Sequence, residues 1–179
     1  MRKTGGIMKI EHKNQFLLIA GMIVLAAIMR LLPHWPNFTP IAAMALFGGA
    51  YINNKKLAYA VPFIAMLLSD LVIGFHNTMW AVYLSFAAIV AIGMLLREKN
   101  SVMKTAGAAV ASSVLFFVVT NFAVWLSGGF YSMDLAGLVQ CYTAAIPFYQ
   151  YSILGDLFYA GVMFGAFELA KMKVPALAS

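Results

Sequence analysis

Two aspartates and one arginine are unusual in a chain that is otherwise strongly apolar. Asp70 lies in the stretch LLSDLVIGFHN, Asp156 lies in ILGDLFYAG, and Arg30 ends the first long apolar stretch. An ionised side chain in apolar surroundings is costly unless it is paired, so these groups are expected to face the interior of the protein and to pair. Arg30 then has two candidate partners, Asp70 and Asp156.

Two acids and one base leave one carboxylate without an ionic partner. That carboxylate is then protonated, hydrogen-bonded by Ser69, Asn121 or a tyrosine, or reserved for a ligand. An alternative is that the three charged groups only fix the register of neighbouring helices.

His76 and Cys141 are candidate metal ligands, because a neutral imidazole or a thiolate can coordinate a transition metal such as the cobalt of a corrinoid. One histidine and one cysteine at no diagnostic spacing also fit simpler roles. His76 would then bond Asn77 or a backbone carbonyl, and Cys141 would be a small buried apolar residue. No resident cofactor is expected.

The elements that must position these residues are membrane-spanning helices. Of the 179 residues, 63% are hydrophobic and 10% are charged. Apolar stretches of about 17 to 25 residues recur, which is the length that crosses about 30 Å of hydrocarbon. The sequence therefore predicts an all-α membrane protein with six transmembrane helices. These are predicted at residues 16–32, 38–52, 57–75, 78–96, 103–126 and 148–170.

The predicted organisation is one transmembrane domain, 16–170, between a basic N-terminal segment, 1–15, and a C-terminal tail, 171–179. Every Lys and Arg except Arg30 falls on one side of this arrangement, so the positive-inside rule predicts that both termini are cytoplasmic. The net charge of +6 then reflects topology and contact with anionic lipid, without nucleic acid as a partner. We expect an integral protein of a bacterial inner membrane.

Polar side chains are concentrated in the outer third of this arrangement, which predicts a pocket for a small molecule that opens to the outside. The longest predicted loop, 127–147, contains a Gly pair and the segment DLAGLVQCYTAAI, which could cover the pocket as an interfacial helix. The three tryptophans fall at the outer interface, as an aromatic belt or as stacking partners of a substrate. The candidate substrate-binding residues are Arg30, His34, Asn37, Asp70, His76, Asn77, Trp80, Asn121, Trp125, Tyr131, Gln140, Tyr142, Tyr149 and Asp156.

Several of these features together resemble a known family. They are six short helices with both termini inside, a second helix rich in small residues, SDLVIG at the end of the third helix, and a polar loop before PFYQYSILGDLFYAGVMFG. This combination resembles the S-components of energy-coupling factor vitamin transporters over nearly the whole chain. The resemblance implies a subunit that binds a vitamin or similar small molecule from outside, with a membrane coupling protein and ATPase subunits as partners.

One feature of the first helix differs from that family. Its members dock the coupling protein through two alanines four residues apart, and FLLIAGMIVLAAIMR lacks that spacing. The chain is therefore more similar to solitary S-components, some of which handle vitamin B12, and a corrinoid is one candidate ligand.

Other classes of protein fit the sequence less well, and no enzyme activity is expected. The flanking residues SD and LGD differ from the YD and GxGD motifs of aspartyl intramembrane proteases, and neither Ser69 nor Ser152 has the Gly-flanked turn and histidine base of a serine hydrolase. No Gly-rich phosphate loop occurs in the sequence. A structural or assembly subunit of a larger membrane complex is the alternative, with Gly161 and Gly165 as a helix-packing face.

Overall fold

The computed structural model describes residues 4–97, 101–174 and 177, with side chains from Lys13 onward. The described residues form six helices and no strand, so the predicted all-α fold is confirmed. The helices are α1 (Thr4–Met29), α2 (Ile41–Tyr51), α3 (Lys55–Ile73), α4 (Met79–Met94), α5 (Val102–Leu126) and α6 (Leu135–Lys173). Three basic residues used for the topology prediction, Arg2, Lys3 and Lys99, lie outside the described residues, as do 175–176 and 178–179 of the predicted tail.

Three of these helices, α3, α5 and α6, are long and apolar enough to span a membrane. In the described part of the chain, three other apolar helical segments are shorter. They are α2, α4 and the Lys13–Met29 part of α1. These helices are consistent with a membrane protein.

The short helix α2 lies at the centre of the bundle. It contacts each of the other five helices, and every residue from Ala42 to Ala50 is buried. A Cβ atom added at Gly49 would meet the carbonyl oxygen of Val90 in α4, and one added at Gly93 would meet that of Leu46 in α2. The two backbones therefore touch at these glycines, and the small residues of α2 allow this close packing.

One end of the bundle, called the Arg97 end, is where α2 and α4 finish and α3 and α5 begin. The Arg97 guanidinium donates hydrogen bonds to the carbonyl oxygens of Gly49, Ile52 and Asn53 at distances of 2.8, 2.6 and 3.2 Å. The last carbonyl groups of a helix have no partner within the helix, so Arg97 caps α2. At the opposite end, called the Arg30 end, α1 and α3 finish, and residues 30–40 lead back into α2.

Helix α6 differs most from the prediction, because it begins at Leu135 and not at residue 148. The segment DLAGLVQCYTAAI is its first part and packs along α5, where Tyr142 Oη donates to the carbonyl oxygen of Val118 at 2.6 Å. The predicted loop over 127–147 is therefore wrong and shortens to 127–134. The prediction started this helix at residue 148, directly after Pro147, whereas the structure has Pro147 inside α6, as membrane helices tolerate. Similarly, α1 begins at Thr4 and not at residue 16.

Candidate functional site

Arg30 and Asp70 form a largely buried ion pair at the Arg30 end. Arg30 Nη1 lies 2.5 Å from Asp70 Oδ1 and donates a hydrogen bond to Ser69 Oγ. Asp70 is 3% exposed, and its Oδ2 accepts a hydrogen bond of 2.8 Å from Tyr83 Oη of α4. Of the two partners that the sequence allows for Arg30, the structure selects Asp70.

The end of α3 explains how Asp70 and Tyr83 meet. The amide of Gly74 donates to the carbonyl oxygen of Asp70 at 2.8 Å, and Gly74 has φ of 103°, in the left-handed region that favours glycine. The helix ends at this residue, and the chain turns into α4 within a few residues. Tyr83 follows in the second turn of α4, so a short local connection supplies the second partner of the carboxylate.

Asp156 lies inside α6 and has a different partner. Its Oδ2 accepts a hydrogen bond of 2.5 Å from Ser113 Oγ of α5, and the residue is 6% exposed. None of the donors proposed from the sequence makes this contact, since Ser69 contacts Arg30 and Asn121 donates to the carbonyl oxygen of Phe117 in its own helix. Ser113 lies in the run GAAVASSV, whose sequence does not indicate that Ser113 donates to a carboxylate. The register between α5 and α6 decides that Ser113 meets Asp156.

A cavity of about 170 Å³ lies at the Arg30 end of the bundle. Its wall combines charged, neutral polar and apolar side chains from α2, α4, α5 and α6 and from the connections that follow α1 and α3. The lining residues are Arg30, Asn37, Thr39, Ile41, Ala42, His76, Val82, Phe116, Ser152 and Asp156.

The segment that leads into α2 forms one side of this cavity. Asn37 has φ of 64°, a left-handed conformation in which asparagine is common among non-glycine residues. A Cβ atom added at Gly155 would lie 3.1 Å from the Cα atom of Phe38 and 3.2 Å from the amide nitrogen of Thr39. The absence of a side chain at Gly155 therefore lets this irregular segment lie directly against α6, beside Asp156. Irregular backbone is tolerated at membrane depth where it lines a cavity.

The cavity brings together four of the residues predicted from the sequence, namely Arg30, Asn37, His76 and Asp156. Asp70 is not among the lining residues, but it pairs with Arg30, which is. His76 is exposed, and its Nδ1 lies 3.0 Å from Thr78 Oγ1, which replaces the contacts with Asn77 or a backbone carbonyl considered from the sequence.

The other predicted binding residues lie outside the cavity lining. Trp125 Nε1 donates to the carbonyl oxygen of Ser132 at 2.9 Å, and the ring of Tyr149 packs against Phe117 with centroids 4.5 Å apart. The contacts of Tyr149 and Tyr142 join α5 to α6, and that of Trp125 joins α5 to the connection before α6. The residues outside the lining are His34, Asn77, Trp80, Asn121, Trp125, Tyr131, Gln140, Tyr142 and Tyr149.

Six lining residues were not predicted. Thr39, Ile41 and Ala42 line the cavity because the short helix α2 begins there, and the Pro40 that precedes it was the available signal. Val82, Phe116 and Ser152 belong to apolar helical stretches, in which the sequence does not distinguish a lining face from a buried one.

The two candidate metal ligands occupy different environments. Cys141 is buried, and its Sγ lies 3.4 Å from the carbonyl oxygen of Asn121 in α5, whereas His76 lines the cavity. In the part of the chain that the structure describes, no group of three or more His, Cys, Asp or Glu side chains is arranged to hold a metal ion.

Comparison with known proteins identifies a family. The profile of a family described as "Family of unknown function (DUF6580)" matches residues 10–177. No curated protein and no solved structure matches the chain.

Proposed function

This chain belongs to DUF6580, a family of unknown function. We therefore propose its role from the residues that line the cavity. We propose a substrate-binding subunit of a membrane transporter, similar to an S-component, that takes up a vitamin or similar small molecule from the outer face. The observation that supports this proposal is the cavity of about 170 Å³ at the Arg30 end, which combines a few polar groups with apolar walls. Small-molecule sites commonly have this composition.

In this proposal all six helices span a bacterial inner membrane and both termini are cytoplasmic. The distribution of basic residues supports the orientation, because the described basic side chains other than Arg30 lie toward the Arg97 end of their helices. Asp70 and Asp156 each lie 15 residues from a lysine at that end, Lys55 and Lys171. At 1.5 Å per residue this is about 22 Å, which is the outer third of a hydrocarbon core of about 30 Å.

The volume of the cavity favours a ligand much smaller than a corrinoid. A corrinoid would have to lie over the mouth of the cavity, with the exposed imidazole of His76 as its cobalt ligand. Cys141 is a weaker candidate ligand, because it is buried between α5 and α6. A vitamin precursor or another small metabolite fits the cavity without a change in the helices.

The proposed partners are the substrate, membrane lipid, and a membrane coupling protein with ATPase subunits. α1 exposes the apolar side chains of Leu17, Val24 and Leu25, which lipid or a coupling protein would cover. Nucleic acid is not a proposed partner.

A structural or assembly subunit is the second candidate function. A Cβ atom added at Gly161 or Gly165 would meet nothing within 4 Å, so this pair lies on an open face of α6. Such a face allows the close approach of a helix from another subunit. An intramembrane enzyme is favoured less, because Asp70 and Asp156 have separate hydrogen-bonding partners.

The proposal is tested by ligand-dependent stabilisation of the purified protein in detergent. A compound that binds the folded state raises the melting temperature by mass action, so a metabolite panel and the mass spectrum of co-purifying molecules should identify a stabilising ligand. Ser152→Phe, which fills the cavity, should abolish the stabilisation. The matched control is Thr143→Phe, at an exposed position of the same helix.

Three results would count against binding at this site. They are stabilisation that survives Ser152→Phe, a panel in which no compound stabilises the protein, and turnover of a peptide or lipid that is lost in Asp70→Asn or Asp156→Asn. The last result would favour an enzyme.

A further inference from the structure

The charges around the cavity do not balance. Arg30 is already paired with Asp70, whose second oxygen accepts a hydrogen bond from Tyr83. Asp156 also lines the cavity, but its described partner is the neutral hydroxyl of Ser113. When Asp156 is ionised, the cavity therefore carries one carboxylate charge that forms no ion pair with a described cation.

The remaining lining residues determine which ligand would suit that carboxylate. Asn37, Thr39 and Ser152 offer neutral hydrogen-bonding groups, and Val82 and Phe116 supply an apolar wall. An anionic ligand would have to compete with Asp70 for Arg30. A cationic ligand gains a buried carboxylate that has no ionic partner among the described residues, and such a contact is strong in a site with little water.

We propose that the cavity takes a small organic cation, and that the carboxylate of Asp156 holds its protonated amine. This inference rests on the proposed function and names the substrate class of that site. The amine donates to Asp156, and the neutral groups of Asn37, Thr39 and Ser152 orient the rest of the ligand. A proton on Asp156 would remove the charge that holds the amine, so proton and ligand compete for one carboxylate.

Competition with a proton predicts that amine binding weakens as the pH falls. Among the described residues, Arg30 after α1 and His76 before α4 line the cavity with Asp156, and Tyr149 of α6 lies near Asp156. Asp70 in α3 pairs with Arg30, and Tyr83 in α4 donates to Asp70. His76 lines the same cavity and carries an ionisable imidazole, so its contribution has to be separated from that of Asp156. If amine binding keeps the same pH dependence in His76→Ala, the titrating group is Asp156.

The experiment uses the full chain in detergent at constant ionic strength and a panel of small primary amines, including butylamine. Each amine is compared with the alcohol that has the same carbon skeleton, and a panel of small carboxylates is included. We expect at least one amine to raise the melting temperature of the wild type while its neutral counterpart does not. Asp156→Asn should weaken this binding by more than about tenfold, because it removes one partner of a buried ionic contact.

Three variants serve as controls. Asp156→Glu and Ser113→Ala both keep the carboxylate charge, so amine binding should persist in both. Asp134→Asn changes a carboxylate outside the cavity and should leave amine binding unchanged. If Asp156→Asn does not fold, the pH dependence in the wild type and in His76→Ala tests the same competition.

The inference fails if no amine exceeds its neutral counterpart, or if Asp156→Asn binds the amine as well as the wild type does. If carboxylates or alcohols stabilise the wild type and Ser152→Phe removes the effect, the proposed function stands and only the substrate class is wrong. If no compound of any class stabilises the protein, both fail.

Discussion

Arg30 Nη1 lies 2.5 Å from Asp70 Oδ1, and both side chains are nearly buried. Removing one partner of such a pair leaves an uncompensated charge, which costs about 3 kcal/mol or more. Arg30→Ala should therefore lower the free energy of unfolding by about that amount, measured by denaturation in mixed micelles. The double variant with Asp70→Asn should recover part of the loss.

The second double variant distinguishes the two aspartates. Arg30→Ala combined with Asp156→Asn should show effects that add, because the structure pairs Arg30 with Asp70. Additive effects with Asp70→Asn, or strong coupling with Asp156→Asn, would show that the ion pair has been assigned to the wrong carboxylate.

The sequence predicts the number and approximate place of the helices because apolar length is a local property. It also predicts that Arg30 needs an acidic partner, since the cost of an unpaired charge does not depend on the fold. It cannot select between Asp70 and Asp156, because that depends on how helices distant in sequence are arranged. The Ser113 contact and the lining role of Ser152 depend on the same arrangement.

The error at the start of α6 has a different physical origin. Pro147 is a strong helix breaker in water, and the segment from Leu135 onward contains Gly137 and Gln140, which weaken a transmembrane pattern. In the structure this segment packs along α5, and contacts of Cys141 and Tyr142 with α5 carbonyl groups hold it. Tertiary packing therefore overrides the local signal.

The contact between α2 and α4 predicts an asymmetry among glycine substitutions. Gly49→Ala and Gly93→Ala should each destabilise the protein by about 1 to 3 kcal/mol, because the added methyl group would meet a backbone carbonyl. Gly161→Ala, where a Cβ atom meets nothing within 4 Å, should be neutral or stabilise by up to about 1 kcal/mol. Thermal unfolding of the three variants tests this prediction, and equal effects would argue against close packing at Gly49 and Gly93.

The cap on α2 predicts that Arg97 has a structural role beyond its charge. Arg97→Ala should lower the free energy of unfolding by about 2 kcal/mol or more, because three carbonyl oxygens lose a charged donor. Arg97→Lys keeps the charge and should recover only part of the loss, since an ammonium cannot reproduce the guanidinium geometry. Lys56→Ala, at an exposed position of the same end, is the control. A full rescue by lysine would show that only the charge matters.

The start of α6 should respond to acid through Asp134. Its Oδ1 accepts hydrogen bonds from the Gly137 amide and from Ser132 Oγ, both of 2.8 Å. These contacts, the Gly137 amide first, lower the pKa of Asp134 below its ordinary value of 3.8. The cap therefore stabilises the helix start above that value, and the stabilisation is lost as the pH falls through the lowered pKa.

Nuclear magnetic resonance of the Gly137 amide across this acidic range measures that loss. In the wild type the amide shift should follow the titration of Asp134, with a midpoint below 3.8. Asp134→Asn can cap the helix without titrating, so its Gly137 amide should not show this step. A midpoint at or above the ordinary value would rule out the cap.

The last prediction concerns the orientation of the protein in the membrane. A cavity that opens to the outside requires the Arg97 end to be cytoplasmic. Single cysteines are introduced in a Cys141→Ser background, so that the native thiol does not react. Asn54→Cys lies at the start of α3, and Phe130→Cys lies in the 127–134 connection, where the native side chain is 85% exposed. An impermeant thiol reagent added to intact cells should label position 130 and not position 54. In inside-out vesicles the labelling should be reversed, since the basic side chains keep the Arg97 end inside. Labelling of position 54 in intact cells would place the cavity on the cytoplasmic side and would overturn uptake from the outer face.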